Sequence, residues 1–160
     1  MSAIRVPYVP TPLSVARKML EIAGVGTGDI IYDLGCGDGR IVLLAVREFG
    51  ARKGVCVELR EDLLEKAKRE ATRYNVLDRV ELRHEDFFET NISDATVVTL
   101  YLLTSINDEL APKLERELDD GARIVSHEFK ITSWKPLIAA SVYDGLISHS
   151  IYLYVKGMHK

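Results

Sequence analysis

Apolar residues follow two alternating patterns along the chain. In the first pattern they form short, nearly continuous runs rich in β-branched residues, which is typical of strands buried on both faces of a sheet. The runs are DIIYDL, KGVCVEL, RVELRHEDFF, ATVVTLYLL, ARIVSHEF, LIAASVY and SHSIYLYVKG. Only the turn-like segment DGLI separates the last two. We therefore predict five buried strands followed by a C-terminal hairpin.

In the second pattern apolar residues recur every three or four positions, which predicts helices with one buried face. The segments are LSVARKMLEIA, RIVLLAVREF, REDLLEKAKREATRYNV and DELAPKLEREL. RIVLLAVREF is apolar nearly all round, so it is expected to pack against a sheet. At the first helix, Thr11 is placed to be the N-cap and Pro12 the first helical residue, and the helix is expected to end at Gly24.

Strand and helix alternate up to the hairpin, and no linker-like or low-complexity stretch divides the chain. This order predicts a single α/β domain over residues 1–160, with an N-terminal arm and helix over residues 1–24. The expected architecture is Rossmann-like, a mostly parallel, doubly wound sheet with helices on both faces and an antiparallel end. In such sheets ligands bind beyond the carboxyl ends of the strands.

Composition narrows the function classes. The 160 residues are 47% hydrophobic and carry a formal net charge of −3, with basic and acidic residues mixed throughout. A dedicated nucleic-acid binder is usually basic, so no direct nucleic-acid binding is expected. No apolar run approaches a membrane span and no signal-peptide pattern is present, so no membrane contact and a cytoplasmic location are expected. The two cysteines, Cys36 and Cys56, are expected to be buried free thiols.

A glycine-rich segment, DLGCGDGR, joins the first predicted strand to the second helix. A phosphate-binding P-loop would require Lys followed by Ser or Thr, where this chain has Arg40 and Ile41. The glycines Gly35, Gly37 and Gly39 have GxGxG spacing, whereas the dinucleotide motif is GxGxxG. Asp38 lies inside the segment, where its charge would oppose a pyrophosphate. The segment therefore favours a ligand that carries a cation and no phosphate.

S-adenosylmethionine has these properties, and acids at three consecutive strand ends match its groups. Glu58 is placed to accept hydrogen bonds from both ribose hydroxyls, and Asp86 to accept from the adenine amino group. The backbone N–H of Phe87 can meet an adenine ring nitrogen. Asp33 would orient the glycine loop or the methionine amine, and Thr11 in the N-terminal arm completes the predicted cofactor-binding set. The prediction includes no metal.

DLGCGDGR, together with Glu58 and the segment EDFF, resembles the class I, seven-β-strand methyltransferases. More narrowly, VPYVPTP, VVTLYLLTSIN, RIVSHEF and HSIYLYVKG resemble the archaeal broad-specificity protein lysine methyltransferases, a group similar to Dot1-type histone enzymes in its core and to mitochondrial lysine methyltransferases in motif layout. The resemblance covers nearly the whole chain. It implies the strand order 3-2-1-4-5-7-6 with an antiparallel last strand, and it implies small basic chromatin proteins as substrates.

In these enzymes the segment after the fourth strand usually determines which kind of molecule accepts the methyl group. Enzymes that methylate base amines carry an Asn- or Asp-Pro-Pro-aromatic signature there, and TLYLLTSIN has no proline. A lysine amine is a nucleophile only when neutral, which an apolar aromatic channel favours by desolvating the ammonium. The candidate channel residues are Tyr8, Phe88, Tyr101, Phe129 and Trp134. The hydroxyls of Tyr8 and Tyr101 are predicted to hold the amine, and these two are the candidate catalytic residues.

Trp134 is further expected to be an exposed substrate contact, and the pair His127–Glu128 to lie near the site at the end of the fifth strand. The four histidines show no metal-ligand spacing. The sequence thus predicts a monomeric protein lysine methyltransferase that converts S-adenosylmethionine to S-adenosylhomocysteine. Two alternatives remain open at this point: a small-molecule or RNA methyltransferase on the same fold, and a non-catalytic cofactor-binding module.

Overall fold

The structure is a computed structural model, and it describes residues 7–160. Residues 1–6 of the predicted N-terminal arm lie outside the described residues. Seven strands form one sheet in the order β3-β2-β1-β4-β5-β7-β6. The strands are β1 Ile30–Leu34, β2 Lys53–Val57, β3 Val80–Arg83, β4 Val97–Leu100, β5 Arg123–His127, β6 Ile138–Asp144 and β7 Ile147–Val155. The predicted order 3-2-1-4-5-7-6 is confirmed.

Strands β1 to β5 pair in parallel, whereas β7 pairs antiparallel with both β5 and β6. The antiparallel last strand is therefore also confirmed. It exists because the two-residue connection Gly145–Leu146 permits only a hairpin, while parallel neighbours need a long crossover. The exposed edge on that side is β6, whose residues are mostly exposed or half-buried.

In the described part of the chain, four α-helices cover the two faces of the sheet: α1 Leu13–Ile22, α2 Arg40–Glu48, α3 Glu61–Arg73 and α4 Thr104–Glu117. The buried side chains of α1, α2 and α3 share one hydrophobic cluster, and those of α4 belong to a second cluster on the opposite face. Along β1, Ile31 belongs to the first cluster, and Tyr32 and Leu34 to the second. Because side chains alternate along a strand, Asp33 faces the side of α1 and α2.

The start of α1 differs from the prediction. The helix begins at Leu13, with Pro12 in the N-cap position and no side-chain cap. The carbonyl oxygen of Pro12 accepts the first helical hydrogen bond, from the N–H of Ala16 at 2.9 Å. The Thr11 hydroxyl is instead 3.1 Å from Nδ1 of His127. A tertiary partner 116 residues away has replaced the local cap, which the local sequence pattern could not indicate.

The prediction of free thiols is wrong. Cys36 and Cys56 form a disulfide, with their Cα atoms 5.2 Å apart. Cys36 follows β1 and Cys56 lies in β2, the neighbouring strand, so the parallel pairing brings the two side chains together. Both residues are buried, as expected. The disulfide forms because β1 and β2 are neighbours in the sheet, and the two cysteines have no CxxC spacing from which it could be predicted.

None of the helices within residues 7–160 is both long enough and apolar enough to cross a membrane.

Candidate active site

A cavity of about 320 Å³ opens at the carboxyl ends of β1, β2 and β4, beneath the segment 7–11. Its volume is in the range of small-molecule and cofactor sites. Nine of the ten sequence-predicted site residues line it: Tyr8, Thr11, Asp33, Gly35, Gly37, Glu58, Asp86, Phe87 and Tyr101. The fold therefore gathers into one cavity residues that are up to 93 positions apart in the sequence.

The tenth predicted residue, Gly39, does not line the cavity. It is the N-cap of α2, with φ of +80°. A Cβ atom at this position would lie 2.9 Å from Cβ of Ala67, so the glycine permits the close approach of α3. Its predicted role in cofactor binding has no support from its position. The structure gives it a packing role instead, because only glycine fits both the backbone conformation and the contact.

Gly37 marks where the N-terminal segment meets the glycine loop. It has φ of +57°, and a Cβ atom there would lie 2.8 Å from Cε1 of Tyr8. The Tyr8 ring therefore packs directly on the loop backbone. The Arg40 guanidinium strengthens this closure, because Nη1 donates to the carbonyl oxygen of Thr11 at 3.3 Å. The cavity is covered by a segment that is anchored to its floor.

Asp38 does not present the uncompensated charge that the sequence predicted. Its carboxylate accepts from Arg40 Nη2 at 2.7 Å and from Arg40 Nε at 3.1 Å. Burial acts to raise the pKa of Asp38, but the hydrogen bonds and charge of Arg40 outweigh it and lower the pKa. Burial, followed by the charge of Asp38, raises the pKa of the Tyr8 phenol. Asp38 and Arg40 therefore join the glycine loop to the covering segment.

Glu58 is held by three backbone N–H groups. Oε1 accepts from Gly37 at 2.8 Å, and Oε2 accepts from Leu59 and Arg60 at 3.0 Å each. The carboxylate thus fixes the glycine loop against the end of β2. Each carboxylate oxygen has more than one acceptor direction, so the group can also accept from a ligand hydroxyl.

Asp86 and Phe87 lie in the turn after β3, as expected. Oδ1 of Asp86 accepts from the N–H of Phe88 at 2.9 Å, which orders the turn beside the cavity. The ring of Phe87 lies 3.6 Å from where a Cβ of Gly35 would be, and it packs against the Phe88 ring with centroids 5.0 Å apart. One wall of the cavity is therefore aromatic.

Asp33 is only 5% exposed. Burial is the main cause that raises the pKa of Asp33 to about 7; a hydrogen bond from Thr99 acts in the opposite direction, and the charges of Glu58 and Asp38 add to the rise. A buried carboxyl group with two carboxylate neighbours favours a cationic ligand, because a positive charge would stabilise its ionised form.

A second cluster adjoins the cavity at the ends of β4 and β5. The rings of Tyr101 and His127 are in contact, with centroids 3.9 Å apart and planes tilted by 31°, and the Phe129 ring stacks on Tyr101 at a centroid distance of 6.3 Å. His127 is fully buried, and its Nε2 is 2.8 Å from Nδ1 of His149 on β7. The predicted proximity of His127 and Glu128 to the site is thus observed. The part played by His149 was missed because this residue lies on the antiparallel strand β7, 22 residues after His127.

The turn after β5 is held rigidly. Nδ2 of the buried Asn107 donates to the carbonyl oxygens of Phe129 at 3.2 Å and Lys130 at 3.3 Å. Glu128 has φ of +72°, which is rare for a residue with a side chain. Its N–H donates to the carbonyl oxygen of Ser150 at 2.7 Å. These bonds fix His127 and Glu128 relative to β7.

Trp134 is not the exposed substrate contact that the sequence predicted. It is 9% exposed and packs edge-on against Tyr154, with centroids 5.8 Å apart, and against His159 at 4.4 Å. It belongs to the hydrophobic cluster on the α4 face. Its polar sequence neighbours misled the prediction, because exposure depends on how the segment after β5 folds back onto the sheet.

The polar groups that line the cavity fit S-adenosylmethionine. Carboxylates at the ends of neighbouring strands can accept from ribose and amino groups, and the glycine loop leaves room for a close backbone approach. Fold and cavity together define a class I methyltransferase that uses S-adenosylmethionine.

The family model of the ANTKMT methyltransferase domain matches residues 33–138. The chain is 50% identical over 155 residues to a protein-lysine N-methyltransferase of Saccharolobus islandicus, covering 97% of this chain and 96% of the other. It is 33% identical over 134 residues to the mouse adenine nucleotide translocase lysine N-methyltransferase, but spans only 58% of that protein's length. The chain belongs to the ANTKMT methyltransferase family.

A solved structure is similar along most of both chains. It is described as an RNA methyltransferase from Salinibacter ruber in complex with S-adenosyl-L-homocysteine. It shares 46% identity, a TM-score of 0.86, and coverage of 92% of this chain and 93% of the other. The bound product in this relative supports the cofactor assignment. Its described acceptor, RNA, differs from that of the Saccharolobus islandicus relative.

Proposed function

We propose that the chain transfers a methyl group from S-adenosylmethionine to the ε-amines of protein lysines. The observation that carries this proposal is the 50% identity to a protein-lysine N-methyltransferase over nearly the whole of both chains. The cavity adds physical support, because its acceptor side is formed by the half-buried Tyr101 ring and its cover by Tyr8. Aromatic, partly dehydrated walls disfavour an ammonium and favour the neutral amine that the reaction requires.

Each cavity residue then has a role in binding or orientation. Glu58 accepts from the ribose hydroxyls, Asp86 and the N–H of Phe87 hold the adenine, and Asp33 faces the methionine amine. Gly35 and Gly37 keep the loop free of side chains. Thr11 and Tyr8 cover the cofactor from the N-terminal segment.

The bound cofactor supplies an electrophilic methyl group on a sulfonium. The protein's main contribution is to hold the lysine nitrogen in line with that methyl group. Such positioning alone can lower the activation barrier by several kcal/mol. The hydroxyls of Tyr101 and Tyr8 accept hydrogen bonds from the amine and orient its lone pair. No covalent enzyme intermediate is needed for this transfer.

We further propose broad specificity that includes small basic chromatin proteins, in a chain that acts as a cytoplasmic monomer. The net charge of −3 favours approach of basic partners. The Cys36–Cys56 disulfide bears on location, because disulfides are rare in reducing cytosol but common inside hyperthermophilic archaea. An origin in the cytoplasm of such an archaeon is compatible with both the proposed location and the disulfide.

RNA methylation is a second candidate, favoured by the description of the Salinibacter ruber relative. Net negative charge counts against it, since nucleic-acid affinity depends on phosphate neutralisation by basic side chains.

One assay separates these functions. Radiolabelled S-adenosylmethionine would be incubated with the enzyme and, in separate reactions, with purified core histones, total RNA and a metabolite extract. Products would then be hydrolysed and the modified units identified. We expect label in methyl-lysine. Label in nucleotides or metabolites alone would contradict the lysine assignment, and binding of the cofactor without transfer to any of them would indicate a non-catalytic module.

A further inference from the structure

The cluster behind the Tyr101 ring contains a continuous chain of hydrogen-bonding groups. The Thr11 hydroxyl lies in the cavity wall and is 3.1 Å from Nδ1 of His127. Nε2 of His127 is in turn 2.8 Å from Nδ1 of His149. His149 is half-buried, whereas Thr11 is 4% and His127 0% exposed. The chain therefore runs from the cavity, through the protein interior, to a side chain that reaches solvent.

We propose that Thr11, His127 and His149 form a proton-transfer chain that carries a proton from the substrate lysine ammonium to solvent. The inference rests on the proposed lysine methylation. That reaction needs such a path, because the amine arrives protonated, with a reference pKa near 10.4, and must lose a proton before it attacks the methyl group.

The transfer balances along the three groups. The substrate ammonium gives one proton to Oγ1 of Thr11, and the hydroxyl gives its own proton to Nδ1 of His127. The hydrogen on Nε2 of His127 then passes to Nδ1 of His149, and the hydrogen on Nε2 of His149 passes to water. One proton enters and one leaves, and the amine keeps the electron pair that forms the new N–C bond. Both rings begin and end neutral.

The surroundings of His127 suit this role. Burial, followed by the nearby His149, lowers the pKa of His127 to about 4, so the ring is neutral at physiological pH and can both accept and donate. The Tyr101 ring packs against it at a centroid distance of 3.9 Å and excludes water from that side. A neutral relay does not place a second positive charge beside the sulfonium.

Few titratable groups face the histidine pair. Tyr101 lies on His127, and Glu128 lies at the solvent side, with a carboxylate oxygen within 4.8 Å of both rings' ligand nitrogens. On β6, Val142 is opposite His149. Asp144, two residues further along the same strand, accepts a hydrogen bond from Ser14 of α1 at 2.7 Å.

The basic residues of α1 pair elsewhere. Arg17 bonds Glu48, and Lys18 bonds Glu21. Among residues 7–160, Glu128 is therefore the charged group placed to assist the outgoing proton.

A metal site is the competing use of His127, Glu128 and His149, since their ligand atoms lie close together. The geometry favours hydrogen bonding. Two imidazole nitrogens bound to one tetrahedral zinc at about 2.0–2.1 Å would lie roughly 3.3 Å apart, whereas these nitrogens are 2.8 Å apart. Nδ1 of His127 is also already paired with Thr11.

The test uses single-turnover methyl transfer to purified core histones between pH 6.5 and 10, with the cofactor saturating. The main variants are His149→Gln, at a half-buried position, and Thr11→Val, which removes only the hydroxyl. At pH 7 we expect each to lower the transfer rate by about tenfold or more, as for the loss of an assisting acid–base group. The defect should shrink towards pH 10, because the fraction of the amine that is already neutral in solution rises steeply as the pH approaches its reference pKa near 10.4. The dissociation constant of His149→Gln for S-adenosylmethionine should stay within about twofold of wild type, and that of Thr11→Val, whose side chain lines the cavity, is measured so that the rates are compared at saturating cofactor.

Two controls make the result specific. Tyr152→Phe changes β7 on the opposite face and should leave the rate unaltered at every pH. Thr11→Ser keeps a hydroxyl and should lose less rate than Thr11→Val. A rate deficit in His149→Gln that is constant from pH 7 to 10, or that is explained by weaker cofactor binding, would overturn the proposal.

Three further outcomes also decide the matter. If dialysis against a chelator abolishes wild-type transfer and Zn²⁺ restores it, the cluster is a metal site and the proton chain is wrong. If wild-type enzyme makes no methyl-lysine on histones or poly-L-lysine, the proposed function fails first, and the proton chain falls with it. Active wild-type enzyme with unaffected variants would refute the chain alone.

Discussion

Asp33 combines burial with two neighbouring carboxylates, and its pKa of about 7 lies where cofactor binding is easily measured. Because the raised pKa belongs to the free protein, Asp33 is largely protonated below pH 7. A cationic ligand stabilises the carboxylate, so binding should release a proton in that range. The chemistry of this one side chain thus makes cofactor affinity depend on pH.

We expect the affinity for S-adenosylmethionine to rise as the pH increases from 5.5 to about 7 and to level off above it. Titration calorimetry in two buffers of different ionisation enthalpy should detect proton release below pH 7. Asp33→Asn should bind more weakly and show a flatter pH dependence. An unchanged slope in Asp33→Asn would mean that another group titrates.

Glu58 has two separable roles, one in the scaffold and one proposed for the ribose. Glu58→Ala leaves the N–H groups of Gly37, Leu59 and Arg60 without their acceptor. Each hydrogen bond to a charged group contributes up to about 3 kcal/mol, so we expect the variant to have a lower melting temperature. Because the ribose hydroxyls also lose their acceptor, we expect at least tenfold weaker cofactor binding. Both are measurable by thermal unfolding with and without the cofactor. A lower melting temperature with unchanged affinity would leave only the scaffold role.

Tyr101 lines the cavity and its ring also packs against His127, so its hydroxyl and its ring can be tested separately. Tyr101→Phe removes only the hydroxyl and should reduce kcat with little change in cofactor affinity. Tyr101→Ala also removes the ring and should reduce kcat further. Steady-state kinetics with calorimetric cofactor binding would check this, and loss of binding in Tyr101→Phe would assign the hydroxyl to the cofactor.

Among the secondary-structure elements, β1 and β2 are joined both by parallel pairing and by the Cys36–Cys56 disulfide. The bond closes a 20-residue separation that includes Gly37, Gly39 and the whole of α2. It therefore constrains, in the unfolded chain, the part of the sequence that forms the cofactor-binding loop.

We expect reduction of the disulfide to lower the free energy of unfolding by about 3 kcal/mol, the loop-closure value for a loop of this length. Denaturant unfolding with and without a reducing agent would measure it. The double variant Cys36→Ala/Cys56→Ala is the control, and it should be destabilised but insensitive to the reductant. Equal stability of oxidised and reduced wild type would contradict the expectation.

The whole molecule carries a net charge of −3, opposite in sign to the basic proteins proposed as substrates. Long-range attraction between opposite charges raises the encounter rate and is screened by salt, with a Debye length of about 8 Å at physiological ionic strength. Charge of this kind acts on association and leaves the chemical step unaffected.

Raising salt from 50 to 500 mM should therefore reduce kcat/KM for core histones several-fold while kcat changes little. A neutral lysine-containing peptide, assayed in parallel, should show a much smaller effect. An equal response of the two substrates would argue against electrostatic steering.

The sequence by itself determined the elements and the layout of the cofactor site. Continuous apolar runs such as IIY and KGVCV can be buried only in a central sheet, and the carboxyl ends of parallel strands must share one edge. For this reason Asp33, Glu58 and Asp86 could be assigned to one cavity from their positions at or just beyond the carboxyl ends of strands.

Tertiary structure decided what depends on contacts between distant segments. The antiparallel β7 brings His149 to His127. The Thr11 hydroxyl pairs with His127 and therefore does not cap α1 as expected. Strand adjacency pairs Cys36 with Cys56, and the fold-back after β5 buries Trp134. Local periodicity reports which face of an element is apolar, but it carries no information on which residue of another element will lie opposite. That partner is fixed only when the elements pack.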